Sequence, residues 1–155
     1  MVGVSLSYNF KMVYQAHSYT EPRLALESSL RQRSIYPTGQ RLSIASVLLC
    51  RHQHITADAL YEQLRQAGEQ VSKATVYNTL SLFVEKGLVR EIVVESGKTF
   101  YDSNNTHHHH IFNVDTGTLT DTVEPLAERL GSVHIPSGTD LESIDVVVRV
   151  RNKSS

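Results

Sequence analysis

"SKATVYNTLSLFVEKGLVREIVVESGKTFYD", residues 72–102, changes its hydrophobic period once, and that change decides the fold. Up to Gly87 the period is helical. At about 100° per residue, Val76, Leu80, Phe83 and Val84 cluster on one side, while Ala74, Thr75, Asn78 and Ser81 lie opposite, with Tyr77 on the flank. Ser72 is a good N-cap and Gly87 a helix stop. From Leu88 the period becomes two. "LVREIVV", a turn at Ser96-Gly97 and "KTFYDS" read as a β-hairpin.

Working upstream, helical signals begin near Leu24, where Leu24, Ala25, Leu26 and Leu30 are expected near one face. Tyr36-Pro37 breaks that helix. Thr38 caps "GQRLSIASVLLC", with Leu42, Ala45, Leu48 and Leu49 on a buried stripe. Thr56 caps "ADALYEQLRQAG", which stops at Gly68. Helix, helix, helix and hairpin in that order predict a winged helix-turn-helix. Downstream, "HHHHIFNV", a turn at residues 115–117 and "TLTDTV" read as a second hairpin, "EPLAERLG" as a short helix, and "ESIDVVVRVR" as a closing strand. The expected class is α+β. Residues 1–20 form a flexible arm, 21–104 a winged-helix DNA-binding domain, and 105–155 a small α/β second domain.

Composition narrows the function classes. The 155 residues are 40% apolar and 20% charged, which fits a globular chain. No run of eighteen apolar residues exists, and the first residues lack the apolar core of a secretory signal, so no membrane association and a cytoplasmic location are expected. Cys50 is the one cysteine, which excludes an intramolecular disulfide and a Cys-based structural zinc site. Cys50 itself reads as a core residue late in a buried helix. No His-Glu-x-x-His motif or nucleophile elbow occurs, so an enzyme is not expected. Residues 1–105 hold 11 Lys/Arg against 9 Asp/Glu, and 106–155 hold 4 against 7, a mild asymmetry that permits a DNA-facing first part.

The polar face of the helix that follows Ser72 carries no carboxylate until Glu85. Such a face enters a major groove without repelling phosphate, and Asn78 offers the paired hydrogen bonds that read adenine. Thr75 and Tyr77 flank it; Ser72, Lys73 and the helix N-terminus suit a backbone phosphate, and Lys98 lies beyond the hairpin turn. An ordinary amphipathic surface helix would show the same period. The capped helix pair, the short connector and the hairpin favour double-stranded DNA.

The run His107–His110 is too far from either end to be a tag. On a strand, His108 and His110 share one face, and His107 and His109 the other. A metal needs three or more convergent ligands, so further donors must come from elsewhere. His54, Asp102 and Asp121 are the candidates, giving with His108 and His110 a nitrogen/oxygen shell suited to Fe(II), Mn(II) or Zn(II). A solvated polar strand is the competing reading. His52 reads as surface and His17 as part of the arm, while His134 is a candidate to complete the opposite-face pair.

"ITADALYEQL", "KATVYNTLSLFVEKGLVRE", "KTFYD" and the histidines followed by "VDTG" resemble the ferric uptake regulator family of bacterial metal-responsive repressors, over about Leu24 to Arg151. The resemblance implies a homodimer that binds AT-rich palindromic operator DNA, with the second domain forming the dimer interface. It places the regulatory metal on His54, Asp102, His108 and His110, with Asp121 as a further ligand, and starts a second site at His107 and His109. Asn113 and Thr116 stand where most of the family has cysteines for a structural zinc. The usual late histidine is replaced by Ile144 or Asp145. These departures, with the histidine cluster, resemble the iron response regulators of rhizobia and their relatives, which sense haem and act when iron is scarce. In that branch the haem-binding cluster corresponds to His107, His108, His109 and His110. The expectation is therefore an iron- or haem-responsive transcriptional regulator; the alternative is a manganese-, zinc- or peroxide-responsive repressor that does not sense haem.

Overall fold

The structure, a computed structural model, describes residues 20–122 and 134–153. Chain contacts divide it into two compact units, Met1–Val93 with Gly97–Asn105, and Val94–Ser96 with Thr106–Ser155. The expected arm lies outside the described residues except for Thr20, and the expected helix "EPLAERLG" lies outside them altogether.

The first unit opens with α1 (Thr20–Gln32) and α2 (Gly39–Leu48). Leu30 is fully buried and Leu26 packs on the core, but Leu24 and Ala25 are exposed, contrary to expectation. Six residues of helix turn Leu24 about 120° away from Leu30, so only the i, i+4 pair can share the core face. The Thr38 side chain accepts a hydrogen bond from Arg41 N and caps α2. Cys50 corrects a second expectation. The helix ends at Leu48 and Leu49 leaves helical geometry, so Cys50 is exposed, with Sγ 3.1 Å from Val47 O.

A two-residue strand, β1 (His54–Ile55), then precedes α3 (Ala57–Gln66), capped by Thr56, and α4 (Lys73–Glu85), capped by Ser72. Two residues are too few to carry a readable period, so this strand has no signature in the sequence. Gly87 (φ +62°) ends α4 in the left-handed region that favours glycine. β2 (Arg90–Glu95) and β3 (Lys98–Asp102) form the wing, and the sheet order is β1-β3-β2. Leu30, Ile44, Leu48, Leu60, Leu64, Val76, Leu80 and Phe83 are buried together, so the four described helices of the unit share one core. That core is what holds α4 with its polar face outward.

The second unit is built on β4 (His109–Asn113), β5 (Thr118–Thr122) and β6 (Val147–Val150), in the order β5-β4-β6. β4 pairs antiparallel with β5 and parallel with β6. The closing strand is shorter than the expected "ESIDVVVRVR", because pairing with β4 begins at Val147. Phe112 and Leu119 are buried, with the Arg149 guanidinium 5.8 Å from the Phe112 ring centre. Arg149 Nη1 also donates to Val94 O at 2.6 Å.

Residues 114–117 turn the chain between β4 and β5. Asn113 Oδ1 accepts from Asp115 N (3.0 Å) and Thr116 N (3.1 Å), an Asx turn. Asp115 in turn accepts from Arg151 Nη1 (2.9 Å) and Asn152 N (2.7 Å). Where the resemblance leads one to look for thiolates, this turn is held by an amide and a carboxylate.

Candidate DNA interface and metal-ligating residues

Burial of Val76, Leu80 and Phe83 turns Lys73, Ala74, Tyr77, Asn78 and Ser81 of α4 outward. Tyr77 is 46% exposed, which leaves its ring open to a partner. Thr75 is half-buried, its hydroxyl 2.9 Å from that of Ser72. Lys98 lies just past the wing turn, its ammonium 5.9 Å from the Phe100 ring centre. Lys73 is engaged. Its Nζ donates to Asp58 Oδ1 at 2.9 Å and lies 5.6 Å from the Tyr61 ring centre. The hydrogen bond and charge of Asp58 raise the Lys73 pKa above its ordinary value. Sequence reading overlooked Asp58 because it is fifteen residues away, and only the packing of α3 against α4 brings the two together.

In the first unit, the β1–β3 ladder sets His54 opposite Asp102. Asp102 is fully buried, and its Oδ1 accepts from Asn104 N at 2.8 Å. A buried carboxylate needs a compensating charge or donors, so its position opposite an imidazole has a cause.

In the second unit, the β4–β5 register sets His110 opposite Asp121. His108, two residues earlier, lies on the same side: its ring centre is 4.6 Å from that of His110. Asp121 Oδ1 is 3.2 Å from His108 Nε2 and 3.8 Å from His110 Nε2. His108 Nδ1 is 2.7 Å from Thr106 O. A carbonyl only accepts, so Nδ1 is the donor in this contact. A hydrogen bond of this kind fixes the tautomer of a metal-ligating histidine. Thr106 was not among the expected residues, and no sequence signal marks a main-chain carbonyl.

On the other side, His107 and His109 meet edge to face at 5.1 Å. His107 is exposed and His109 buried. Burial, reinforced by the charge of His107, lowers the His109 pKa from its ordinary value, while Asp145 opposes the shift. His134 is exposed and lies outside any helix or strand, and His52 is exposed.

The donor set fits a divalent ion: imidazole nitrogens and carboxylate oxygens, with no thiolate, are ligands of Fe, Mn and Zn. Residues 32–149 match the ferric uptake regulator family over most of the chain.

The chain belongs to the ferric uptake regulator family.

Among relatives, a peroxide-responsive repressor of Staphylococcus aureus is 36% identical over 98 residues, 63% of this chain and 66% of that protein. The chain thus spans just under two thirds of the curated relatives it matches. Solved structures of the family extend the likeness. The ferric uptake regulator of Pseudomonas aeruginosa, determined with manganese, is 30% identical with a TM-score of 0.67, covering 83% of this chain and 98% of that one. That of Vibrio cholerae is 27% identical with a TM-score of 0.69, covering 81% and 98%. The α+β class holds: helices with two small sheets, in the fold of these regulators. No described helix is long and apolar enough to cross a membrane.

Proposed function

We propose that this protein is a metal-responsive transcription regulator that binds AT-rich palindromic operator DNA as a homodimer in the cytoplasm. The observation that carries the metal half is the convergence of His108 and His110 on one oxygen of Asp121. These three residues, with His54 and Asp102, hold one divalent ion, Fe(II), Mn(II) or Zn(II). The ion supplies positive charge that neutralises the carboxylates. Occupancy would set whether two DNA-reading helices of the homodimer span an operator. Ser72, Lys73, Thr75, Tyr77 and Asn78 of the α4 region and Lys98 of the wing contact the duplex. Half-buried Ile111, Val148 and Val150, on one side of the sheet, give the second unit an apolar face for a second copy, with no Cys-ligated zinc.

The test is DNA selection from a randomised duplex pool with Mn(II), Zn(II) or no metal. Enrichment of an AT-rich palindrome only with metal is expected. Enrichment that is equal in chelator would sink the metal-responsive reading.

A second reading, a haem-responsive regulator of the iron response branch, is favoured by the His107–His109 pair on the face away from Asp121. Haem bound through His107–His110 would lower DNA affinity, and a tenfold loss needs only about 1.4 kcal/mol of coupling. Haem titration of the wild type and of a variant with His107 to His110 replaced by alanine separates the readings. A saturable Soret shift at one haem per subunit, lost in the variant, supports haem. Weak uptake equal in both leaves a manganese-, zinc- or peroxide-responsive repressor.

A further inference from the structure

The start of α2 and the middle of α4 enclose a surface pocket of about 280 Å³, lined by Thr38, Gln40, Arg41, Thr75, Asn78 and Thr79. No carboxylate lines it, and Arg41 is its one charged group. α2 is ten residues long, and its first amides point toward its N-terminus, where a helix favours negative charge. Thr38 takes up Arg41 N, which leaves the amides of Gly39 and Gln40 for another acceptor.

The second observation is Thr79. The residue is only 5% exposed and lines this pocket, and its hydroxyl makes no hydrogen bond to any described residue. A hydroxyl opening onto a basic pocket is placed to donate to an anion. The side chains of the pocket wall are held in position. Gln40 Nε2 donates to Gln70 O (3.2 Å) and Arg41 Nη1 to Tyr36 O (2.9 Å), which leaves the other Arg41 donors to face a ligand.

Thr75 and Asn78 belong both to this pocket and to the face that reads bases. An anion seated here would lie beside the groove that α4 occupies. We infer that the pocket is a seat for one DNA backbone phosphate, held by Arg41, the α2 amides and the Thr79 hydroxyl. This rests on the DNA-binding reading above. The seat acts as a positioning device: it carries no sequence information, but sets the depth and register at which Asn78 meets the bases.

The test uses the full chain and a duplex that the wild type has enriched from a randomised pool. Thr79→Val removes the hydroxyl at nearly constant shape, and Arg41→Gln removes the charge. Arg41→Gln should lower affinity about tenfold for enriched and random duplexes alike, and flatten the slope of log K against log salt by about 0.9. Thr79→Val should lower affinity for both duplexes by a common factor without changing the slope. Matching thermal melts show that both variants are folded, and Thr79→Val stands as the test if Arg41→Gln is not.

Wild-type enrichment with unchanged affinity and slope in both variants overturns the phosphate seat and leaves DNA binding standing. No enrichment by wild type, with or without metal, overturns both. Saturable binding of inorganic phosphate, lost in the variants while their DNA affinity is intact, would assign the pocket to a free anion and overturn the DNA seat.

Discussion

His54 and Asp102 are register partners on β1 and β3, with the imidazole Nε2 3.7 Å from the carboxylate Oδ2. The carboxylate is fully buried and also anchors Asn104 N. Asp102→Asn keeps the shape and a hydrogen-bonding oxygen but removes the charge. We expect Mn(II) affinity to fall at least about tenfold, the lower end of what even outer-shell partners cost, with the melting temperature in chelator little changed. Calorimetric titration checks it; equal affinity in the variant would remove Asp102 from the ligand set.

Asp121 holds its place by cross-strand register opposite His110, and its side chain is 39% exposed. Asp121→Ala should therefore leave the apo fold intact and abolish metal-induced stabilisation. In wild type, saturation at a hundred times Kd should stabilise by about 2.7 kcal/mol. Thermal scans with and without Mn(II) measure both. A metal-dependent shift that survives in the variant counts against Asp121.

Lys73, proposed above to contact the duplex, is tied to Asp58. Asp58→Asn frees the ammonium and removes a carboxylate facing phosphate. Affinity for all duplexes should rise, with a steeper salt dependence, and sequence preference should stay the same. Anisotropy titrations at several salt concentrations provide the readout, and weaker binding would contradict the placement of Lys73 at the DNA.

Tyr77→Ala and Asn78→Ala remove exposed groups from α4 without touching its buried face. Specific binding should weaken by about 1–3 kcal/mol per base-reading contact while dimerisation, read by sedimentation, is unaffected. Unchanged specificity would mean the recognition face is misplaced.

Asn113→Ala deletes the acceptor for two turn amides, Asp115 N and Thr116 N. The turn is partly exposed, so water recovers some of the loss, and a cost of about 1 kcal/mol is expected. Hydrogen exchange should accelerate at these two amides and leave α4 unaffected.

Much of this was legible in the sequence because it rests on local rules. The caps Thr38, Thr56 and Ser72, the stops at Gly68 and Gly87 and the period change at Leu88 depend only on neighbouring residues. The alternation that separates His108 and His110 from His107 and His109 is likewise a property of any extended chain.

Other features were decided only by tertiary structure, because they join residues far apart in the chain. β1 exists because β3 pairs with it, the Asp58–Lys73 ion pair because α3 packs on α4, and the parallel β4–β6 ladder because the chain returns after a crossover. Cys50, read as core, is exposed because the helix ends two residues before it. The sequence by itself determined which side chains share a face. The fold decided which faces meet, and so which carboxylate stands before which imidazole, since distances between residues remote in sequence follow from packing rather than from period.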